Sequence, residues 1–251
     1  MSLFAADVAT ILRRELLRYR RDRAYWLGQI VFPLVVVGFI GFGLDDVVAL
    51  PTGASYLGHV ASGALALLVA SGAVGGGFTL IQERESGFLR ALRVAPVSPA
   101  SVVLGKIAAR WLASLALVAL LVALLSTFTP LGLVHPGAAV LAVAAVTAAF
   151  VALGVALASA LRSLESFRVL SALVTIPLYF LSGIFYPVKT LPPLTGALAH
   201  ANPLTYGVDL LRYGLLGIHE FPLALCTLLL IGLTAGTVAL AVVLFERGSE
   251  A

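Results

Sequence analysis

Residues 82–106 are the one long charged stretch of this chain that lies between two hydrophobic segments. Glu83, Arg84 and Glu85 open the stretch, and Gly87 provides a break at which the chain can turn. The next segment places apolar side chains on one helical face and arginines elsewhere: Phe88, Leu89, Arg90, Leu92, Arg93 and Val94. An apolar face of this kind can fill a pocket on another protein. The pattern predicts recognition of a partner rather than catalysis.

Proline and serine residues set the bounds of this short helix. Pro96 prevents its extension, and Ser98 as N-cap with Pro99 in the first position begins a new helix. That helix runs through Lys106 into the next apolar run. The short helix is therefore held between two long ones, and force on it would pass to both. From the residues alone, a turn wetted by lipid headgroups stays an alternative.

The sequence has no motif for covalent or metal chemistry. It has no G-x-S-x-G or H-E-x-x-H pattern, and Asp45 with Asp46 lacks a third ligand nearby. Gly105-Lys106 is followed by Ile107, so the chain has no phosphate-binding loop. Cys226 is the single cysteine, which excludes an intrachain disulfide. We expect no catalytic residue, no bound metal and no cofactor held by this chain.

A second polar group lies in residues 187–221, a stretch rich in Leu and Pro. Asn202 as N-cap and Pro203 in the first turn predict a helix that runs through Leu216 and stops at Gly217. Asp209 and Arg212 are three residues apart on this helix and are predicted to form an ion pair. A local pair that closes the surface and a direct contact with substrate both remain open.

Residues 1–24 predict an amphipathic helix at a membrane surface. Apolar side chains recur at helical spacing on one face, with arginines opposite; the apolar set is Phe4, Val8, Ile11, Leu12, Leu16 and Tyr19. Glu15 projects into the apolar stripe, so it needs a cation such as Arg18 or one from a neighbouring element. A general lipid anchor and a specific docking helix fit the pattern equally well.

Composition identifies an integral membrane protein, because 61% of the 251 residues are hydrophobic and 11% are charged. The mean hydropathy is +1.07. Six uncharged runs approach the roughly 20 residues needed to cross a bilayer, which predicts an all-α polytopic protein in a single domain. The runs are 26–44, 56–81, 111–128, 137–161, 169–186 and 221–245.

The positions of Lys and Arg predict the orientation. With the N-terminus inside, all of the 16 Lys and Arg residues except Lys189 and Arg212 lie on the cytoplasmic side. Both termini are then cytoplasmic. The basic pI follows from this bias, so it predicts no binding to nucleic acid.

Residues 83–106, ERESGFLRALRVAPVSPASVVLGK, resemble the cytoplasmic loop of the ABC-2 family of ABC transporter permeases. A second stretch is similar to the family pattern around the fifth span and beyond it. Its residues are Leu178, Leu181, Ser182, Gly183, Ile184, Phe185, Tyr186, Pro187, Leu191, Pro192, Pro203, Leu204, Tyr206 and Arg212. Position 88 departs from the pattern, since many relatives have a small or polar residue where this chain has Phe.

The resemblance implies a fold and partners beyond those that the residues themselves predict. Residues 82–106 would carry a coupling helix that docks on a cytoplasmic ATPase, present in two copies, which binds ATP and Mg. Residues 187–221 would re-enter the outer leaflet between spans five and six as a helical hairpin. A second permease copy, identical or closely related, would complete an exporter in the bacterial inner membrane. A hydrophobic drug, a lipid and a lipid-linked glycan are the substrate classes considered.

Two other functions are less consistent with the sequence. An ion-coupled carrier normally needs intramembrane carboxylates and an internal repeat, neither of which the sequence displays. We expect no Asp, Glu, Lys or Arg near the middle of any span. A membrane scaffold without transport activity stays the other alternative.

Overall fold

The computed structural model describes residues 2–51, 53–87, 98–129, 131–161 and 163–250, and the regular elements in those ranges are all helices. The long helices are α1 (Ser2–Arg21), α2 (Arg23–Val36), α4 (Tyr56–Glu85), α5 (Pro99–Leu125), α6 (Pro136–Ala160), α7 (Leu164–Phe180) and α10 (Leu223–Glu250). The shorter ones are α3 (Phe42–Leu44), α8 (Pro193–Ala201) and α9 (Pro203–Leu216).

Five of the described helical segments are long and apolar enough to cross a membrane. They are Arg23–Leu44, Tyr56–Glu85, Pro99–Leu125, Pro136–Ala160 and Leu223–Arg247. The predicted fifth span corresponds to α7, which has 17 residues and a length of about 26 Å. The chain is therefore an all-helical, multi-pass membrane protein.

Helix α4 forms the centre of the bundle and is buried along nearly its whole length. It packs most extensively against α6, which in turn packs against α10 and α9. A Cβ atom at Gly77 would overlap the carbonyl oxygen of Gly154, and one at Gly154 would lie 2.6 Å from the carbonyl oxygen of Val74. Glycine at these two positions thus brings the two backbones into contact, as in close helix packing within membranes.

The N-terminal helix is shorter than the predicted 1–24 segment. It ends at Arg21, and Asp22 begins the next helix by accepting a 2.9 Å hydrogen bond from the Tyr25 amide. Arg23 and Ala24 therefore belong to the first span. Within that span, Pro33 lies inside α2, and a π-helical turn follows at Val37–Gly41.

The described residues of the 82–106 stretch, 82–87 and 98–106, belong to the ends of two helices. Helix α4 continues through Glu85, and Gly87 adopts a φ of +76°, a left-handed conformation that suits glycine. Ser98 caps α5 by accepting a 3.1 Å hydrogen bond from the Ser101 amide, and Pro99 is its first residue. The predicted turn and the predicted helix start are both confirmed.

Residues 187–221 are ordered into a 3₁₀ turn (Val188–Thr190), α8 and α9. Asn202 caps α9, whose last residue is Leu216, and Gly217 ends it with a φ of +73°. These are the bounds that the sequence predicted. Helix α9 is almost fully buried against α6, α4 and α10, whereas α8 presents Leu194 and Leu198 to the exterior.

Candidate functional site

Five charged side chains from three helices meet at one end of the bundle. We call Arg14, Glu15, Arg18, Glu83 and Lys106 the α1 cluster. Lys106 Nζ lies 3.0 Å from Glu15 Oε1 and 2.9 Å from Glu83 Oε2. Arg14 Nη1 donates a 2.8 Å hydrogen bond to Glu83 Oε1, and Arg18 Nη1 lies 3.7 Å from an oxygen of each carboxylate. The lysine thus bridges two carboxylates, and the arginines of α1 add further positive charge.

The core of the α1 cluster is dry. Glu15 is 1% exposed, and Glu83 and Lys106 are each 4% exposed. Burial by itself raises the pKa of Glu15, but the charges of Lys106, Arg18 and Arg14 outweigh it and hold that pKa below its ordinary value. Removing one member of a buried group of charges leaves the others uncompensated, which is strongly destabilising.

The cluster connects the helices on either side of the 86–98 connection. Glu83 lies in the last turn of α4 and Lys106 in the third turn of α5, while Glu15 belongs to α1. Arg84 extends the connection by donating hydrogen bonds to the carbonyl oxygens of Leu161 and Ala158 at the end of α6. Glu85 is exposed beside them. Four helices are therefore held together at this end.

The sequence predicted some of these contacts and missed others. The expected i, i+3 partner of Glu15, Arg18, lies 3.7 Å away, but Lys106 is closer and Glu83 shares it. Glu83 and Lys106 are 23 positions apart and Glu15 is 91 positions from Lys106. Phe88, Leu89, Arg90, Leu92, Arg93 and Val94 lie outside the described residues, so their predicted contact with a partner stays a prediction.

A second group of charges lies at the other end of α4. We call Asp209, Arg212 and Glu220, with His59 and Ser62 of α4, the α9 cluster. Arg212 Nη1 lies 3.6 Å from Glu220 Oε1, and its Nη2 donates a 2.8 Å hydrogen bond to the carbonyl oxygen of Gly183. Its Nη2 also lies 3.2 Å from His59 Nε2, and its Nε 3.4 Å from Ser62 Oγ.

The predicted ion pair between Asp209 and Arg212 is wrong. Asp209 Oδ1 accepts a 2.8 Å hydrogen bond from the Glu220 amide, and Oδ2 accepts one of 3.0 Å from the Phe221 amide. The carboxylate therefore binds the backbone that leads into α10, while Glu220 supplies the carboxylate next to Arg212. Asp209 is 2% exposed and Arg212 is 3% exposed, so both need hydrogen-bond partners within the protein. Asp209 finds them in the backbone instead of in Arg212.

The other predicted residues of this segment have structural positions around α9. Gly183 has a φ of +73° and presents its carbonyl group to Arg212. Tyr206 donates a 2.7 Å hydrogen bond to the carbonyl oxygen of His200, and Phe185 lies against Phe180. Pro187 precedes the 3₁₀ turn and Pro203 is the first residue of α9.

A further buried charge, Arg110, lies in α5 one turn beyond Lys106, and the expectation that no charge lies near the middle of a span stays a prediction. Arg110 is 1% exposed and lies in α5 about 17 Å from the start of the helix. Its Nη2 donates a 3.1 Å hydrogen bond to Gln29 Oε1 of α2. The sequence suggested that this arginine ends a cytoplasmic loop because it directly precedes the uncharged run. The length of α5 instead carries it into the bundle.

A family model described as ABC-2 type transporter matches residues 6–216, which include every charged residue of both clusters except Glu220. The chain belongs to the ABC-2 type transporter family. This family is one of transporters, so the chain has a role in membrane transport rather than in catalysis. The resemblance of residues 83–106 and 178–212 to ABC-2 permeases is confirmed at the level of the family.

Individual relatives within the ABC-2 family match most of the chain. The inner membrane transport permease YadH of Escherichia coli strain K12 is 27% identical over 229 residues, covering 89% of this chain and 88% of YadH. The putative transport permease ycf38 of Porphyra purpurea is 28% identical over 214 residues, with 82% and 73% covered. Nodulation protein J of Rhizobium leguminosarum bv. viciae is 28% identical over 218 residues, with 82% and 81% covered.

Proposed function

We propose that the chain is the membrane permease subunit of an ATP-driven exporter. A separate cytoplasmic ATPase, in two copies, binds ATP and Mg and docks on residues 82–106. A second permease, identical or closely related, completes the translocation path. The apolar spans favour a hydrophobic drug, a lipid or a lipid-linked glycan as the substrate. The inner membrane location named for YadH supports the same location here.

The proposed topology has six spans, with α7 as the fifth, and both termini in the cytoplasm. The basic residues support this orientation, because Arg14, Arg18 and Lys106 lie at the end of the bundle that contains the 86–98 connection. We propose that α8 and α9 re-enter the outer leaflet. The exposed Leu194 of α8 would face lipid there, while α9 helps to close the path.

The α1 cluster is the single observation that carries the proposed mechanism. Lys106 links the end of α4 and the beginning of α5 to α1 through contacts of 3.0 Å or less. A push on the segment between these helices would therefore displace α1, α4 and α5 as one unit. ATP binding provides the energy because the closed and open ATPase pairs differ in their affinity for ATP.

Copurification with the cognate ATPase tests the proposal. The double variant Leu89→Asp with Leu92→Asp puts charge on the proposed docking face, so we expect loss of the copurified ATPase with normal membrane insertion. The matched control is Val47→Asp with Leu133→Asp, two exposed apolar positions outside that loop, which should copurify as wild type. Equal recovery of the ATPase with both double variants would exclude the loop as its docking site.

Cysteine labelling tests the orientation. In a Cys226→Ala background, single cysteines at Thr52 and Thr195 should react with an impermeant maleimide added to intact cells. A cysteine at Ser98 should react only after permeabilisation. The reverse pattern would place residues 82–106 outside, where an ATPase could not reach them.

A further inference from the structure

Arg110 has more hydrogen-bonding capacity than the described residues satisfy. Besides the bond to Gln29, its guanidinium carbon lies 5.2 Å from the centre of the Tyr25 ring. Its Nε and Nη1 are fully buried and have no acceptor in hydrogen-bonding geometry among residues that the structure describes; the same holds for the Tyr25 hydroxyl. A buried cation in a membrane protein is costly unless an anion or several acceptors compensate it. The arrangement is thus a set of donors that complements an anion.

The backbone of α4 leaves room for this guanidinium at Gly72. A Cβ atom at Gly72 of α4 would overlap Arg110 Nη2 and would lie 2.6 Å from Gln29 Oε1. Glycine at position 72 therefore leaves the space that the arginine and its neutral partner occupy. Helix α2 contributes Gln29 and Tyr25 to the same place. Helix α2 thus gives this charge one neutral acceptor and one aromatic face, and the Tyr19 hydroxyl of α1 lies close to it as well.

A groove of about 320 Å³ lies between the α1–α2 elbow and α5, and Tyr19, a neighbour of Arg110, belongs to its lining. Such a volume is in the range of small-molecule sites. Most of its lining is apolar, with the exposed Arg20 as its charged member; the lining includes Leu16, Tyr19, Arg20, Trp26, Leu112 and Ala116. Tyr19 forms the wall towards the arginine, since its hydroxyl interacts with Arg110 and its ring stacks 5.3 Å from that of Tyr25.

We infer that this groove binds an anionic amphiphile, with its phosphate group between Arg20 and Arg110 and its hydrocarbon chain on Trp26, Leu112 and Ala116. Guanidinium groups bind phosphate through paired, charge-assisted hydrogen bonds, and Nε with Nη1 is one such donor pair. The phosphate reaches this pair when the Tyr19 side chain turns aside. The inference is independent of the ATPase partnership, because the site lies within one permease chain.

Tryptophan fluorescence can detect the bound chain directly. The protein has two tryptophans, so Trp111→Phe leaves Trp26 in the groove as the sole reporter. Dodecyl phosphate with a terminal bromine is titrated into the purified permease in nonionic detergent. We expect saturable quenching of Trp26. The mole fraction of this probe in the detergent at half-saturation should be at least about tenfold below that of brominated dodecanol, which lacks the charge. Inorganic phosphate should not displace the probe; displacement by it would overturn the requirement for a hydrocarbon chain.

Variants separate ligand binding from a purely structural role of Arg110. Arg110→Lys keeps the charge but loses the paired donors, and Ala116→Phe fills the groove at a position six residues beyond Arg110. Each should weaken the quenching at least about tenfold at an unchanged melting temperature. Arg13→Gln, which removes an exposed arginine of α1 that does not line the groove, should change the quenching less than about twofold. Wild-type quenching in both Arg110→Lys and Ala116→Phe would overturn the inference.

Discussion

The two charged clusters occupy opposite ends of α4 and use similar residue types, yet they connect different kinds of partner. In the α1 cluster, side chains bind side chains: Lys106 joins two carboxylates that belong to other helices. In the α9 cluster, side chains bind backbone groups as well: Asp209 accepts from two amides, and Arg212 donates to a carbonyl group besides contacting Glu220. Ion pairs between helices allow long segments to move together, whereas backbone contacts fix the local path of a connection.

The largest effect is expected at the centre of the α1 cluster. Lys106→Met leaves Glu15 and Glu83 buried without their shared cation, so we expect a loss of about 3–5 kcal/mol in the free energy of unfolding. Arg18→Met is the matched control, because its side chain is 35% exposed and its contacts are 3.7 Å long. It should cost about 1 kcal/mol or less. Thermal unfolding in detergent measures both, and equal losses would contradict the central role of Lys106.

A smaller loss is expected for the backbone contacts of the α9 cluster. Asp209→Ala removes the acceptor of the Glu220 and Phe221 amides, and we expect a loss of about 1–3 kcal/mol in total, because only the bond to the Phe221 amide is fully buried. Asp209→Asn keeps one acceptor oxygen and should lose about half as much. Asp46→Ala, at an exposed position, serves as the control. If Asp209→Ala unfolds at the wild-type temperature, the carboxylate does not hold the start of α10.

The smallest effect is the difference in coupling energy between Arg212 and each of the two carboxylates of the α9 cluster. In double-mutant cycles, Arg212→Gln with Glu220→Gln should show a coupling energy of about 1 kcal/mol or more, because the two charges are 3.6 Å apart and buried. Arg212→Gln with Asp209→Asn should show a smaller coupling energy, because the Asp209 carboxylate binds two backbone amides instead of pairing with Arg212. The melting temperatures of the six proteins provide both cycles. The opposite ranking would restore the local pair that the sequence suggested.

The sequence predicted the features that depend on neighbouring residues. Serine and asparagine caps, glycine stops and the apolar face of α1 fixed helix starts and ends, as in α9, because these signals act within a few positions. The partners of Glu83, Asp209 and Arg110 came from distant parts of the chain instead. The spacing rule for a single helix therefore predicted Arg212 as the partner of Asp209. The chain that leads into α10 instead brings two backbone amides to the Asp209 carboxylate.

The coupled movement of α1, α4 and α5 is the central claim, and distances between spin labels test it most directly. Labels at exposed Arg13 and Leu104 report on α1 against α5 within one permease, in a Cys226→Ala background. In the complex with its ATPase, a non-hydrolysable ATP analogue should change this distance by less than about 2 Å. The distance between Leu104 labels in the two permeases should change by more than about 5 Å. A shift between Arg13 and Leu104 as large as that between the two copies would contradict a rigid unit held by the α1 cluster.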